Sequence, residues 1–139
     1  MEKNFKNKTL AIIKPGFLYD GFYIQKIIED NGFKIVLKAN VKLTKEEACK
    51  LYAGHKGKPY FDKLTDYMSS DDIFVMMLEK DDNAVEDFKK LLGVSDPKKA
   101  AKETIRRRYG IDIIRNVCHG SKNSKNAEKE CKFFFGLEL

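Results

Sequence analysis

The stretch that decides the fold is FKIVLKANVKL, from Phe33 to Leu43, because its side chains alternate. Apolar residues occupy positions 33, 35, 37, 39, 41 and 43, and the polar residues between them are Lys34, Lys38, Asn40 and Lys42. Successive side chains of a β-strand point to opposite faces of a sheet. This period of two therefore predicts a long strand with one buried face and one solvated face.

The patterns on either side of this strand predict the remaining elements. Thr44 and Glu47 form a capping box that begins a helix, and Asn31-Gly32 ends the helix before the strand. The expected order is a strand over 9–14, a helix over 22–31, the strand over 33–43, a helix from 45, a helix from 59, a central strand over 73–78, a helix over 85–92, a long basic loop, a strand over 111–116 and a helix over 122–135.

This order predicts an α+β fold. It resembles the ferredoxin-like (split βαβ) arrangement, a four-stranded antiparallel sheet covered by helices, which we expect on one face. No repeat, linker or low-complexity segment interrupts the 139 residues. We therefore expect one domain over residues 1–139.

Composition narrows the class of protein. Hydrophobic residues make up 42% of the chain, and the longest apolar run, Ile73 to Leu78, is too short for a membrane span. No signal peptide is visible, and three cysteines without CxxC spacing favour neither a disulfide framework nor a zinc knuckle. We expect a cytoplasmic protein. The net charge of +6 permits a polyanionic partner without selecting one.

Several common nucleotide and metal motifs are missing from the sequence. It has no G-x-x-x-x-G-K-[ST], no GxGxxG, and neither the His-Arg-Asp nor the Asp-Phe-Gly motif, which argues against a P-loop enzyme or a protein kinase. It also has no HExxH and no cluster of Cys and His ligands.

The two histidines differ in their surroundings. His55 lies in a polar turn, where a solvated loop residue is the simplest interpretation. His119 lies in Asn-Val-Cys-His-Gly-Ser, between a strand-like segment and the start of a helix, where backbone N–H groups favour anions. Gly120 would leave room there for a bulky group. From these residues alone, His119 is equally well read as a structural histidine.

Four motifs together resemble the nucleoside diphosphate kinase family in their order and at nearly its spacings, across almost the whole chain. They are the strand end Ile-Ile-Lys14-Pro15, the helix start Lys58-Pro-Tyr-Phe61, Ala101-x-x-Thr104-Ile-Arg106 and Asn116-x-x-His119-Gly-Ser121.

The resemblance implies transfer of the terminal phosphoryl group from a nucleoside triphosphate such as ATP or GTP to a nucleoside diphosphate. The implied mechanism is ping-pong through a phosphohistidine at His119, and it maintains nucleoside triphosphate pools. Mg²⁺ is implied as the nucleotide complex, bound mainly through phosphates and without a protein metal site. The family also implies a homo-oligomer, a hexamer or a tetramer, with no membrane partner, and we do not expect nucleic acid as a partner.

The resemblance implies four catalytic residues. His119 is the nucleophile, and Glu130 orients it through its far nitrogen. Lys14 contacts the phosphates and the ribose hydroxyl, and Tyr52 hydrogen-bonds near His119 and Lys14. Each of three residues also has a simpler structural interpretation. Lys14 would be the last residue of a strand, Tyr52 a core residue and Glu130 a solvated helix residue.

The resemblance also implies the nucleotide contacts. Tyr60 stacks on the base where the family usually has phenylalanine, and Leu64 and Ile113 complete an apolar slot that tolerates every base. Asn116 reaches the sugar hydroxyl. The implied phosphate contacts are Arg106, Thr104, Ser95 in place of the usual threonine, and Lys89 in place of the usual arginine.

Some positions depart from the family pattern, and two other functions stay open. The departures Gly16, Lys122 and Arg107-Arg108 bear on the catalytic rate and the subunit contacts rather than on the reaction type. One alternative is a nucleic-acid-binding module that uses the basic run KKAAKETIRRR at 98–108. The other is a catalytically weakened homologue retained as a scaffold.

Overall fold

The computed structural model describes residues 5–136, which form a four-stranded antiparallel sheet with helices. The strands are β1 (Lys8–Ile13), β2 (Lys34–Val41), β3 (Ile73–Glu79) and β4 (Cys118–Gly120). The helices are α1 (Gly21–Asp30), α2 (Lys45–Leu51), α3 (Phe61–Met68), α4 (Ala84–Leu92), α5 (Ile105–Tyr109) and α6 (Ser124–Phe135). The spatial order β2-β3-β1-β4 confirms the predicted α+β class. β3 and β1 are the two central strands, and the central position of β3 was predicted.

Helices cover both faces of the sheet, so the prediction of one covered face was wrong. Leu10 and Ile12 of β1 belong to a core cluster that includes residues of α2, α3 and α6. Ala11 and Ile13 belong to a second cluster that includes residues of α1, α4 and α5. The physical reason is that the run from Leu10 to Ile13 has no polar side chain to turn towards water, so each of its faces needs a cover.

The alternating stretch forms β2, but it lies at the edge of the sheet and its register is interrupted. Ile35 pairs with Leu78 and Leu37 pairs with Met77, which leaves Val36 as the extra residue of a β-bulge. The bulge exchanges the faces of the residues beyond it, and Leu37 is exposed. The strand is therefore confirmed, whereas its single buried face is not.

The fourth strand is displaced from its predicted place. Residues 111–116 form a turn, because the Asp112 carboxylate accepts hydrogen bonds from the backbone N–H groups of Ile114 and Arg115, at 3.1 and 2.6 Å. The edge strand is β4 instead, and it pairs antiparallel with β1. As a result His119 lies on a strand at the edge of the sheet.

Helix boundaries follow local capping. The Thr44–Glu47 capping box is confirmed at the start of α2. The next helix begins at Phe61 rather than at Pro59. The basic loop contains α5, whose first turn is capped by the Thr104 side chain. Within residues 5–136, no helix has the length and apolar character needed to cross a membrane.

Candidate active site

A hydrogen-bonded chain links β4 to α6 through His119. His119 pairs with Ile12, whose side chain faces α6, and this register brings the imidazole to that helix. The His119 Nε2 atom lies 3.1 Å from Glu130 Oε1. Ser121 donates from its hydroxyl to the same oxygen at 2.7 Å, and it accepts from the Leu10 N–H at 3.1 Å. The carboxylate of Glu130 is thus held between the histidine and the sheet.

This arrangement distinguishes the two nitrogens of His119. Burial disfavours the charged form of Glu130, but the charge of His119 and the two hydrogen bonds from His119 and Ser121 outweigh it and lower the pKa of the carboxyl group. An ionised carboxylate only accepts, so Nε2 carries the proton. Among residues 5–136 nothing hydrogen-bonds the other nitrogen, Nδ1, whose lone pair is therefore available.

The backbone before His119 makes a tight, strained turn. Val117 has φ of 81°, a conformation that is an outlier for a β-branched residue. Its neighbours close the turn, since the Cys118 N–H bonds the Asn116 carbonyl at 3.0 Å. The Val117 carbonyl accepts from the Lys14 N–H at 2.8 Å, which ties the end of β1 to the residues preceding His119.

Gly120 serves the core rather than a bound group. A Cβ atom at this position would lie 2.8 Å from Leu92 Cδ1 and 3.0 Å from Phe88 Cδ2. The space that the sequence assigned to a ligand beside His119 is occupied by side chains of α4. Glycine is needed there because β4 packs closely on that helix.

Two cations lie next to this turn, the buried Lys14 and the half-buried Arg106. Lys14 is 5% exposed, and its Nζ donates to the Ile114 carbonyl at 3.1 Å. Burial, together with the charge of Arg106, lowers the pKa of Lys14 to about 7. Arg106 donates to the Gly93 and Cys118 carbonyls at 2.9 and 2.8 Å, and burial lowers its pKa. The site thus concentrates positive charge without a carboxylate partner for Lys14 or Arg106 among the described side chains.

Unpaired polar atoms also gather among the predicted site residues. The part of the chain from 5 to 136 has four buried side-chain polar atoms without a hydrogen-bond partner. Three of them are Tyr52 Oη, Arg106 Nε and Asn116 Oδ1, and the fourth is Thr9 Oγ1. An unsatisfied buried group costs about 1–3 kcal/mol, so such a concentration is typical of a site that completes its bonds with a ligand.

Tyr52 contacts His119 through its ring instead of its hydroxyl. The two ring centroids are 5.9 Å apart and the planes lie at 85°, an edge-to-face contact. The expected hydrogen bond from Tyr52 towards His119 or Lys14 is not formed, because the hydroxyl has no partner within the described residues. Burial, the largest cause, raises the pKa of Tyr52, so the phenol stays protonated.

The three residues predicted to hold the base differ in exposure. Tyr60 and Ile113 are 40% and 60% exposed, so both are accessible to a base. Leu64 is buried within the core cluster of α2, α3 and α6. The Tyr60 hydroxyl lies 2.6 Å from His55 Nδ1. His55, which the sequence assigned to a solvated turn, thus has a specific partner.

Some of the residues predicted to contact phosphate already have partners within the protein. Ser95 is exposed, and its carbonyl accepts from the Asn116 amide at 3.0 Å. Lys89 pairs with Glu86 at 3.5 Å on α4. The Thr104 hydroxyl donates to the Ala101 carbonyl at 2.7 Å and caps α5, so it has a structural role.

Two residues of the candidate site were not predicted from the sequence. Ser121 holds Glu130, and it was visible as the last residue of the Asn-x-x-His-Gly-Ser motif. His55 holds the Tyr60 hydroxyl, and nothing in its polar turn distinguishes it from a solvated histidine. A groove of about 1000 Å³ between α1, α4 and α5 is separate from this site, because of the predicted site residues only Thr104 lines it.

The chain is similar to known proteins over most of its length. The family model for nucleoside diphosphate kinase matches residues 7–138. The chain is 43% identical over 134 residues to the nucleoside diphosphate kinase of Chloroherpeton thalassium, covering 94% of each protein. It is 44% identical over 136 residues to that of Campylobacter hominis, covering 95% of this chain and 98% of the relative.

Solved structures give the same result. The nucleoside diphosphate kinase of Encephalitozoon cuniculi matches with a TM-score of 0.91 and 28% identity, over 96% of this chain and 91% of that one. The enzyme of Halobacterium salinarum, solved in complex with CDP, matches with a TM-score of 0.89 and 31% identity, over 96% of this chain and 90% of that one.

Proposed function

This chain belongs to the nucleoside diphosphate kinase family, and from that premise we propose that Nδ1 of His119 carries the phosphoryl group between nucleotides. The enzyme transfers the terminal phosphoryl group of a nucleoside triphosphate to a nucleoside diphosphate in two half-reactions through a phosphohistidine. One observation supports this assignment above the others: Glu130 occupies Nε2 and leaves Nδ1 without a partner among residues 5–136.

Both half-reactions take place at the imidazole ring of His119. The Nδ1 lone pair attacks the terminal phosphorus, the N–P bond forms, and the P–O bond to the departing nucleoside diphosphate breaks. The ring then carries positive charge on the Nε2 side, where the Glu130 carboxylate stabilises it. The acceptor diphosphate reverses the step when its terminal oxygen attacks the same phosphorus.

Lys14 and Arg106 stabilise the transferred group electrostatically. Both are buried or half-buried cations near the Asn116–Cys118 turn, where low local polarity strengthens their attraction for phosphate. Arg106 Nε and Tyr52 Oη supply donors that lack partners among the described residues. These features support phosphate binding by Lys14, Arg106 and Tyr52.

The nucleoside lies on the exposed side of the site. Tyr60 stacks on the base and the exposed Ile113 contributes apolar surface, and every base offers the same π-face. Leu64 is buried in the core, so it offers little surface to a base. Asn116 Oδ1, which has no partner in the described chain, accepts from a sugar hydroxyl, and Lys14 reaches the ribose as well. Ser95 and Lys89 complete the proposed nucleotide contacts, whereas the Thr104 hydroxyl caps α5.

Mg²⁺ enters as part of the nucleotide substrate. No cluster of three or more His, Cys, Asp or Glu residues within 5–136 could hold a metal ion. Mg²⁺ keeps several waters and binds well through substrate phosphates, so the cation-rich site fits a magnesium–nucleotide complex.

We also propose that the chain forms a homo-oligomer, a hexamer or a tetramer. β2 lies at an edge of the sheet, and no strand within residues 5–136 pairs with its outer side. Leu37 on β2 and Phe22 and Tyr23 on α1 are exposed apolar residues. These surfaces support self-association.

Labelling with γ-phosphate-labelled ATP tests the proposed nucleophile. The wild-type protein should give an acid-labile, base-stable phosphoprotein, and added CDP should remove the label as CTP. The His119→Ala variant should take up no label, whereas His55→Ala keeps the nucleophile and should remain labelled. Undiminished labelling of His119→Ala would overturn the assignment.

A further inference from the structure

A short ladder of rings joins the nucleophile to the residue proposed to hold the base. The Tyr52 ring lies 5.9 Å from that of His119 and 5.9 Å from that of His55. The His55 ring lies 5.6 Å from that of Tyr60, with the planes at 62°. The ladder ends in the 2.6 Å hydrogen bond between His55 Nδ1 and the Tyr60 hydroxyl.

The backbone under this ladder is closely hydrogen-bonded. The His55 N–H bonds the Tyr52 carbonyl at 2.8 Å, the Lys58 N–H bonds the His55 carbonyl at 3.0 Å, and the Phe61 N–H bonds the Lys58 carbonyl at 3.0 Å. These successive turns connect α2 to α3. They fix the backbone positions from which the side chains of His55 and Tyr60 extend. The side chain of Tyr60 is nevertheless 40% exposed, and His55 is its one hydrogen-bond partner among the described residues.

The surroundings of His55 favour its neutral form. Burial lowers its pKa, and the positive charges of His119, Lys122, Lys58 and Lys14 lower it further. A neutral imidazole can accept at Nδ1 from the Tyr60 O–H while Nε2 keeps the proton. Phenylalanine, the usual residue of the family at position 60, has no hydroxyl and could not make this bond.

We propose that the Tyr60–His55 hydrogen bond fixes the Tyr60 ring in the orientation that stacks on the nucleotide base, which makes His55 a positioning residue for nucleotide affinity. The inference rests on the proposed stacking role of Tyr60. An exposed aromatic side chain loses rotamer freedom when it stacks, and a ring that is already fixed loses less. The benefit appears only with ligands that have a base.

Equilibrium binding of ADP and of inorganic pyrophosphate to the folded protein tests this proposal. Tyr60→Phe frees the ring in the unbound protein, and the cost of ordering it again on binding should raise the dissociation constant for ADP about three- to tenfold. The constant for pyrophosphate should change less than about twofold, because it has no base to stack. In the nucleotide reaction, KM should rise more than kcat falls. Tyr109→Phe, which removes a hydroxyl without a hydrogen-bond partner among residues 5–136, is the matched control and should bind ADP normally.

A double-mutant cycle measures the contribution of the His55–Tyr60 interaction separately from the contribution of each residue. In the background of His55→Ala, adding Tyr60→Phe should cost nothing more for ADP. Additive losses, an unchanged ADP constant in Tyr60→Phe, or an equal loss of pyrophosphate binding would each overturn the proposal. Tyr60→Ala tests the underlying function: if it binds ADP normally, the base does not stack on Tyr60, and the proposed nucleotide site fails as well.

Discussion

Glu130 of α6 shares one carboxylate oxygen between His119 and Ser121, at 3.1 and 2.7 Å. The bond from Ser121 and that from the Leu10 N–H to Ser121 anchor the carboxylate to the sheet. Because the carboxylate cannot follow a rotating imidazole, it fixes both the orientation of the His119 ring and its protonated nitrogen. In the proposed mechanism this keeps Nδ1 available as the nucleophile.

Replacing Glu130 with glutamine should slow formation of the phosphoenzyme without preventing it. The amide keeps the shape of the side chain but removes the charge that stabilises the positive ring. We expect a roughly ten- to hundredfold lower single-turnover rate, the range seen when metal-binding histidines lose the carboxylate that orients them. Rapid-quench labelling with ATP measures this rate.

Glu128→Gln is the control for that experiment. Glu128 lies on the same helix and has no hydrogen-bond or ion-pair partner among residues 5–136. This variant should react at the wild-type rate. If Glu130→Gln also does so, the carboxylate has no part in activating His119.

Lys14 should make the stability of the protein depend on pH in an unusual direction. Its pKa is about 7 in the folded chain and close to the ordinary 10.5 when unfolded, so between these values the unfolded chain binds more protons. The free energy of unfolding should gain a contribution that rises from pH 7 to pH 10, on the order of a few kcal/mol. Below pH 7 both states are protonated and the burial cost is constant.

The difference between wild type and Lys14→Met isolates this contribution, because other groups titrate over the same range. Urea denaturation at pH 6, 8 and 10 should show the variant more stable than wild type at pH 6, with the gap closing by pH 10. Lys38→Met, which removes an exposed lysine of β2, is the control for the loss of a surface positive charge. A constant gap for Lys14→Met would contradict the lowered pKa.

Gly120→Ala should destabilise the fold and disturb the site. The new Cβ would lie 2.8 Å from Leu92 Cδ1, so α4 or β4 has to move. Overpacking of this kind costs about 1–3 kcal/mol, and it should also displace His119 from Glu130. Gly54→Ala meets nothing within 4 Å and should leave stability within about 0.5 kcal/mol of wild type. Equal thermal stability of the two variants would refute this packing argument.

Strong periodicity and local capping made most of the fold predictable from the sequence. The strand at Ile73–Leu78 and the capped start of α2 were read directly from neighbouring residues. The fourth strand was not, because Ile111–Asn116 has the apolar content of a strand while the Asp112 side chain turns the backbone. A side chain that competes for backbone N–H groups leaves little trace in a hydropathy pattern.

The residues of the candidate site also fall into those that the sequence predicted and those that it did not. Motifs with fixed spacing located His119, Lys14 and Arg106, which the structure places around one strained turn. The partner of Tyr60 could not be read from the sequence, since His55 pairs with it across a turn whose conformation depends on tertiary packing. The role predicted for Gly120, leaving room for a bulky group, was wrong for a similar reason, because its contact with Leu92 involves a helix that is distant in the sequence.

The position of phosphate on the His119 ring tests the account most directly. The protein is labelled with ¹⁵N in its histidines and phosphorylated with ATP, and ³¹P–¹⁵N coupling then identifies the bonded nitrogen. We expect coupling to Nδ1 of His119, with Nε2 still protonated towards Glu130. Coupling to Nε2, or a phosphate on His55, would contradict it.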